Sequence, residues 1–192
     1  MIIGVLAIQG DFAAHIRMLR HVGVDAVEIR RSSDLVSLDG LILPGGESTT
    51  MLKFIEGEGL NEPITDFARP GKPIFGTCAG AILLARDVYN PSQPSLGLID
   101  IGVERNGYGR QVDSFVADIE PALEGGLLEA VFIRAPKIKR AGPDVEVLGS
   151  LNGEPVLVRE RNILAATFHP ELTEDTRVHR MFADMVIQSA GN

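Results

Sequence analysis

The only cysteine of the 192-residue chain stands between two glycines in the run GTCAG. Apolar residues of strand length precede Cys78 and helix-favouring residues follow it, so it falls at a strand-to-helix turn. Gly76 and Gly80 give this turn the spacing of a nucleophile elbow, which projects a reactive side chain above a sheet. Helix N–H groups favour a thiolate there, and the N–H of Ala79 can donate to a developing oxyanion. Cys78 is therefore predicted to be a catalytic nucleophile; the alternative is a small buried core residue.

A base for this thiol is predicted in the run FHPE, where His169 ends an apolar strand. Pro170 disfavours a helical conformation at the preceding residue, so His169 is expected to be extended. Side chains two residues apart in extended backbone point to the same side, which places Glu171 beside the imidazole. Glu171 can then hold one ring nitrogen while the other takes the thiol proton, as in a Cys–His–Glu triad. The remaining histidines are predicted to be solvated or packed residues of the first and last helices: His15, His21 and His179.

These residues need a sheet to position them, and the first half of the chain predicts one. Strands are predicted over 2–8, 24–30, 38–44 and 72–76, and helices over 15–23, 49–57 and 79–89. Near-continuous apolar strands separated by helices are typical of a parallel sheet covered on both faces. Ligands of such α/β sheets bind at the carboxyl ends of the strands, where Cys78 and His169 both fall.

The second half of the chain has shorter strand-like segments, which follow a Pro/Ser-rich loop at 90–97. They are predicted to extend or flank the main sheet, some as antiparallel strands: IGVERN, EAVFIRAP, VEVLGSLN, PVLVRE and NILAATF. A final helix over 176–189 places five apolar side chains on one face: Val178, Met181, Phe182, Met185 and Val186. No repeat or linker interrupts the pattern, so residues 1–192 are predicted to form a single α/β domain with a mostly parallel central sheet.

The composition is that of a soluble globular protein, with 45% hydrophobic and 23% charged residues. A net charge of −8 argues against nucleic-acid or anionic-membrane partners, which select basic surfaces. No apolar run approaches the roughly 20 residues that cross a bilayer, and the start of the chain lacks the pattern of a signal peptide. A cytoplasmic location is therefore expected. One cysteine excludes an internal disulfide and a zinc site built on several thiolates, and no metal or other cofactor is predicted.

The runs GTCAG and FHPE together resemble the class I, or triad-type, glutamine amidotransferases. Four longer runs narrow the resemblance to the family of glutaminase subunits of pyridoxal 5′-phosphate synthase, the PdxT/SNO family: LILPGGESTTM (41–51), ERNGYGRQVDSF (104–115), VFIRAP (131–136) and FHPELTEDTRVH (168–179). The elbow also lacks the glutamine of the GxCxGxQ version found in many other triad glutaminases. The family implies a flavodoxin-like three-layer sandwich and glutamine hydrolysis in the service of vitamin B6 biosynthesis.

The resemblance also implies the role of each site residue. Cys78 would attack the side-chain amide of L-glutamine and form a glutamyl thioester, which water then hydrolyses. His169 would act as general base and then protonate the departing ammonia, while Glu171 would orient His169. The family pattern assigns glutamine binding to Gly46, Glu47, Ser48, Arg105, Ile133 and Arg134, and oxyanion donors to Gly46 and Ala79. Glycines allow backbone N–H groups to approach a substrate closely, and an arginine can bind a carboxylate through two hydrogen bonds.

The chemistry itself predicts a protein partner. Ammonia released into water is protonated and lost as a nucleophile, so it must pass under cover to a second active site. The chain has no strand–helix pattern left over for a synthase domain, which places that site on another polypeptide. The resemblance implies a (β/α)8-barrel synthase subunit of the PdxS type, within a large heteromeric complex. The turn IQGD, residues 8–11, is a candidate contact because it shares the sheet edge with the triad.

Three other functions remain open from the sequence. The chain could be a triad glutaminase that feeds a synthase of histidine or nucleotide biosynthesis. It could be a cysteine hydrolase of related fold that acts on peptides or γ-glutamyl conjugates without a partner. It could also be a binding or regulatory domain with a vestigial site, although the presence of Cys78, His169 and Glu171 argues against that reading.

Overall fold

A computed structural model describes residues 1–108 and 114–191. The run ERNGYGRQVDSF therefore lies partly outside the described residues, at positions 109–113. The described strands are β1 (Ile2–Leu6), β2 (Asp25–Ile29), β3 (Gly40–Leu43), β4 (Ile74–Thr77), β5 (Ala85–Tyr89), β6 (Ile99–Glu104), β7 (Ser114–Pro121), β8 (Leu128–Ile133), β9 (Lys137–Ala141), β10 (Glu146–Leu151), β11 (Glu154–Glu160) and β12 (Ile163–Ala166). The described helices are α1 (Phe12–His21), α2 (Ser48–Gly57), α3 (Asn61–Ala68), α4 (Ala79–Leu84) and α5 (Arg177–Ala190), with 3₁₀ turns at Ser32–Leu35 and Pro170–Leu172.

The larger sheet formed by these residues has the strand order β2-β1-β3-β4-β12-β11-β10-β7-β8. Its first five strands are parallel, and the other four continue the sheet in antiparallel pairs. Strands β3, β4 and β12 are buried along their whole length, as expected where both faces of a parallel sheet are covered. The predicted α/β class, with central parallel strands and antiparallel strands from the C-terminal half, is confirmed.

Two apolar layers cover this sheet. On one face, α1 and α5 pack through Ile16, Leu19, Val178 and Phe182. On the other face lie α2, α3 and α4, together with a small sheet of β5, β6 and β9. The three layers agree with the flavodoxin-like sandwich that the resemblance implies. Every helix within residues 1–108 and 114–191 is too short or too polar to span a lipid bilayer.

Some predicted elements differ from the structure. The helix predicted over 79–89 ends at Leu84, and the next five residues form β5, which pairs in parallel with β6. Val88 and Tyr89 in this run favour strands, and pairing with β6 extends the strand back to Ala85, although Ala85 and Arg86 favour a helix. Helix α3 was not predicted from the sequence; its Pro63 lies in the first helical turn, where a missing N–H breaks no intrahelical bond. Strands β7 and β9 were not predicted either.

Helix α4 packs unusually close to the strands beneath it, and glycines make this possible. A side-chain carbon at Gly80 would collide with the backbone carbonyl oxygen of Leu43, at the end of β3. A side-chain carbon at Gly76 would stand 2.6 Å from the backbone carbon of Gly80. Both glycines that flank Cys78 in the sequence are therefore required by backbone-to-backbone contact, which fixes the height of the helix above the sheet.

The substitution Gly80→Ala tests this contact. The added methyl group meets backbone rather than a flexible side chain, so α4 or β3 must shift; we expect a loss of about 1–3 kcal/mol in the free energy of unfolding. Gly57→Ala is the matched control, because nothing lies within 4 Å of a side-chain carbon at that helical position. It should be neutral or stabilise by up to about 1 kcal/mol. Urea unfolding followed by circular dichroism measures both, and equal values would contradict the close packing.

Candidate active site

Cys78 lies at the turn between β4 and α4, as predicted. Its backbone angles are φ 47° and ψ −103°, a region that residues with a side chain rarely occupy and that stores strain. The N–H of Cys78 donates to the carbonyl oxygen of Ala166 at 2.8 Å, so the end of β12 holds the turn in place. The thiol points toward the carbonyl oxygen of Ile133, 3.7 Å from Sγ. The strained turn thus presents the sulfur at the carboxyl edge of the parallel strands.

His169 and Glu171 are in direct contact. The distance between His169 Nδ1 and Glu171 Oε1 is 2.8 Å, and both side chains are buried. The predicted proximity is correct, but its cause differs from the prediction. His169 is non-helical, with φ −109° and ψ 85°, whereas Glu171 lies in the 3₁₀ turn Pro170–Leu172. The turn, rather than extended backbone, brings the carboxylate back beside the imidazole.

His169 and Glu171 each stabilise the charged form of the other. Burial lowers the pKa of His169, but its contacts with Cys78 and Glu171 more than offset this and raise that pKa to about 10. Burial also opposes the charged form of Glu171, yet the charge and hydrogen bonding of His15, followed by those of His169, hold its pKa far below the usual range. The imidazole is therefore protonated at neutral pH beside an ionised carboxylate. A cation beside a thiol favours the reactive thiolate.

A cavity of about 570 Å³ opens over this edge of the sheet. It brings together Cys78 and His169 and all the residues to which the resemblance assigned substrate or oxyanion contacts: Gly46, Glu47, Ser48, Ala79, Arg105, Ile133 and Arg134. The lining also includes Gly10 and Asp11 of the turn IQGD, which was expected at this sheet edge, and four residues that the sequence did not predict: Gly45, Ile82, Asn106 and Ser114. Glu171 does not line the cavity but contacts His169 from behind.

The double glycine after β3 packs directly against the imidazole. A side-chain carbon at Gly45 would collide with Cε1 of His169, and one at Gly10 would collide with the carbonyl oxygen of Gly45. Gly46 has φ 150°, a conformation that side chains disfavour. Glycines of two turns, after β1 and after β3, therefore allow the backbone to pack closely against the loop that carries His169.

Glu47 caps helix α2 and binds Arg105. Its carboxylate accepts from the N–H groups of Thr49 and Thr50 at 3.0 and 2.7 Å. Burial raises the pKa of Glu47, but the hydrogen bond from the Thr50 hydroxyl and those from the two N–H groups together outweigh it and lower that pKa to about 2. Arg105 Nη2 lies 3.3 Å from Glu47 Oε1 and 3.1 Å from Thr49 Oγ1, which places its guanidinium group at the cavity wall. Ser48 donates its hydroxyl to Gln93 Oε1 at 3.1 Å.

Two of the other histidines also belong to this region. His15 and His179 are fully buried and lie within hydrogen-bond distance of each other, whereas His21 is exposed. The prediction left these histidines either solvated or packed, and His15 and His179 are packed. Nothing in the sequence indicated that His15 reaches Glu171. A signal was present: His15 falls on the stripe of Phe12, Ile16 and Leu19, which is the apolar face of α1.

Comparisons with known proteins agree with this geometry. Residues 5–188 match the model of the SNO glutamine amidotransferase family. The chain is 53% identical over 186 residues to the pyridoxal 5′-phosphate synthase subunit PdxT of Koribacter versatilis (strain Ellin345), covering 97% of this chain and 96% of that protein. It is 52% identical over 186 residues to the subunit of the same name from Thermosipho africanus (strain TCF52B), covering 97% and 99%.

A solved structure gives the same result in three dimensions. A crystal structure of a glutamine amidotransferase superimposes with a TM-score of 0.90 at 48% sequence identity, covering 96% of this chain and 98% of that chain. The match of fold, sequence and length leads to one conclusion. The chain belongs to the SNO glutamine amidotransferase family.

Proposed function

We propose that this protein is the glutaminase subunit of a pyridoxal 5′-phosphate synthase: it hydrolyses L-glutamine to L-glutamate and ammonia and delivers the ammonia to a partner synthase subunit. One observation carries the proposal. Cys78 and His169 share a cavity while Glu171 holds the far nitrogen of His169 at 2.8 Å. The relatives that are named pyridoxal 5′-phosphate synthase subunit PdxT support the choice of pathway.

The reaction starts from the Cys78 thiolate and the His169 imidazolium. The sulfur attacks the side-chain amide carbon of glutamine, and the developing oxyanion accepts hydrogen bonds from the N–H groups of Ala79 and Gly46. His169 gives its proton to the nitrogen as the carbon–nitrogen bond breaks, so ammonia leaves and a glutamyl thioester remains. The neutral imidazole then takes a proton from water, whose oxygen attacks the thioester. Glutamate departs, and thiolate and imidazolium are restored.

The remaining cavity residues suit the amino-acid end of glutamine. The Arg105 guanidinium group can bind the α-carboxylate of glutamine. Glu47 and Thr49 already hold this guanidinium group at the cavity wall, so α2 need not move when glutamine binds. Ile133 and Arg134 lie opposite, and Arg134 has φ 44°, a strained conformation of the kind that clusters at functional sites. The Ser48 hydroxyl already donates to Gln93, which leaves its oxygen free to accept from the substrate.

The turn IQGD is the proposed contact with the synthase. Gln9 Nε2 donates to the carbonyl oxygen of Glu47 at 2.8 Å, and Gly10 packs on Gly45. The loop after β3 that carries Gly45 and Gly46 is called here the oxyanion loop. A partner that docks on the turn IQGD would therefore push on residues that directly contact this loop. The (β/α)8-barrel form of the partner, the large heteromeric complex, the single domain over residues 1–192 and the cytoplasmic location remain predictions from the sequence.

The substitution Cys78→Ala tests the nucleophile. Without the sulfur no thioester can form, so kcat for glutamate release should fall about 10⁴- to 10⁶-fold, the scale of removing a triad member. Calorimetry should still detect glutamine binding, because the Arg105 side of the cavity is unchanged. Retention of glutamate release by the alanine variant would refute the proposed mechanism.

The substitution Arg105→Gln tests the carboxylate contact. Loss of a charge-assisted hydrogen bond of about 1.5–3 kcal/mol should raise KM for glutamine about 10- to 100-fold. The value of kcat should change by less than about threefold, because the contact is the same in ground and transition states. Arg69→Gln is the control, since Arg69 is an exposed residue that follows α3 and pairs with Asp66. Steady-state kinetics of both variants decide the point, and an unchanged KM for Arg105→Gln would count against the assignment.

Reconstitution tests the pathway. Together with a barrel-type synthase subunit, a pentose phosphate and a triose phosphate, the protein should convert glutamine into pyridoxal phosphate, which is followed by its absorbance. The Cys78→Ala variant should yield no product from glutamine, whereas the same synthase should work with added ammonium chloride. Failure of the native protein, with a synthase that uses ammonium, would reject the vitamin B6 role but leave a glutaminase for another synthase.

A further inference from the structure

A second layer of polar side chains lies behind Glu171, outside the mechanism described above. It consists of His15 on α1, Thr77 at the end of β4 and His179 on α5, all with no exposed surface. Buried polar groups are unfavourable unless they are paired, so three of them at one point in an apolar layer require an explanation. The two histidines are called here the buried histidine pair.

The distances within this layer lead back to the triad. His15 Nε2 stands 3.3 Å from Glu171 Oε2 and 3.1 Å from Thr77 Oγ1. His15 Nδ1 lies 2.9 Å from His179 Nε2. Since His169 Nδ1 is 2.8 Å from the other oxygen, Oε1, an imidazole faces each oxygen of the Glu171 carboxylate. Among the described residues Oε2 has no hydrogen bond of full geometry, so the nearby His15 nitrogen is its main electrostatic support.

The protonation of the buried histidine pair can be deduced from its neighbours. Burial, and then the charge of His15, hold the pKa of His179 at about 3, so His179 is neutral. If His15 is also neutral, the proton between the two rings lies on His179 Nε2. A proton on His15 Nδ1 instead would leave His15 Nε2 with a lone pair facing the Glu171 carboxylate, which is unfavourable. If His15 is charged, both of its nitrogens carry protons. In either state His15 Nε2 carries a proton; this N–H is within hydrogen-bond geometry of Thr77 Oγ1, and the nitrogen lies 3.3 Å from Glu171 Oε2.

We propose that His15 is a positioning residue of the active site. It holds the Glu171 carboxylate in place from the side opposite His169, while His179 and Thr77 hold His15. The inference rests on the catalytic roles proposed for Cys78, His169 and Glu171. It extends the triad into the layer between the sheet and helices α1 and α5.

The sign of the expected pH effect follows from the groups that face Glu171. On one side lies His169, with Cys78 beyond it. On the other side lies His15, with His179 beyond it. The third neighbour is Asp11, which has a carboxylate oxygen within 4.8 Å of a ring nitrogen of His169 and a carboxylate oxygen of Glu171. His15 is the largest influence that lowers the pKa of Glu171, while burial acts in the opposite direction. Removing His15 therefore raises that pKa. The carboxylate is then neutralised at a higher pH, and the stabilisation of the His169 imidazolium is lost with it.

The kinetic test compares His15→Leu with His15→Gln. Loss of the imidazole should lower kcat for glutamate release about 10- to 100-fold, by analogy with the hydrogen-bond partners that orient metal-ligating residues. The acidic limb of the pH profile should move to higher pH by about one unit or more, with KM within about threefold. Glutamine at position 15 restores an N–H donor and should recover about tenfold of the loss. His21→Leu is the matched control, on an exposed position of the same helix.

Two results would overturn the proposal. One is a His15→Leu variant that melts at a lower temperature but keeps the kcat and pH profile of His21→Leu, which would make His15 a packing residue only.

The second test does not depend on how that variant folds or on activity. In ¹⁵N-histidine NMR spectra, the isosteric change Glu171→Gln should shift the ring nitrogen signals of His15. Unchanged His15 signals would reject the contact, whereas an active Cys78→Ala variant would reject the proposed function and leave this contact standing.

Discussion

The active site depends on keeping one buried carboxylate charged. Glu171 has no exposed side-chain surface, and burial by itself favours the neutral acid. The charge persists because imidazoles approach both oxygens, at 2.8 Å from His169 and 3.3 Å from His15. The ionised carboxylate in turn contributes to the high pKa of His169, which is about 10. The imidazolium at the cavity is thus a consequence of a charge that the fold holds out of water.

The sheet brings these groups together through the pairing of β4 with β12. The two strands are parallel neighbours, and Thr77 pairs with Ala166 in register. Cys78 follows the first strand directly and His169 follows the second by three residues, so a separation of about 90 positions in the chain closes at one edge. The turns after β1 and β3 complete the site from the other side, where Gly10 and Gly45 pack without side chains. Four successive strands therefore each deliver one part of the chemistry.

The sequence predicted what is local and missed what depends on the packing of distant elements. The run GTCAG contains its own strand, turn and helix start, so the elbow at Cys78 could be recognised without the fold. The run ARDVY could not be read as a strand, because its partner β6 lies ten residues further on and pairs through a separate sheet. The proximity of His169 and Glu171 was expected from extended backbone but arises from a 3₁₀ turn. His15 contacts Glu171, which is 156 positions away in the sequence, and no local sequence pattern can predict such a contact.

Helix α1 links the two ends of the site. The turn IQGD immediately precedes it, and His15 lies within its first helical turn. Gly10 of that turn contacts the oxyanion loop at Gly45, and His15 contacts Glu171 behind the imidazole. A synthase subunit that docks on IQGD, as proposed, would therefore press on a segment that adjoins both Gly45, next to the proposed oxyanion donor Gly46, and His15, the proposed support of Glu171. Backbone contacts between glycines have no side-chain rotamers to absorb a displacement, and the interaction of a buried carboxylate with a polar neighbour changes steeply in energy with distance. The same geometry that holds the resting site thus gives a partner a direct way to set it.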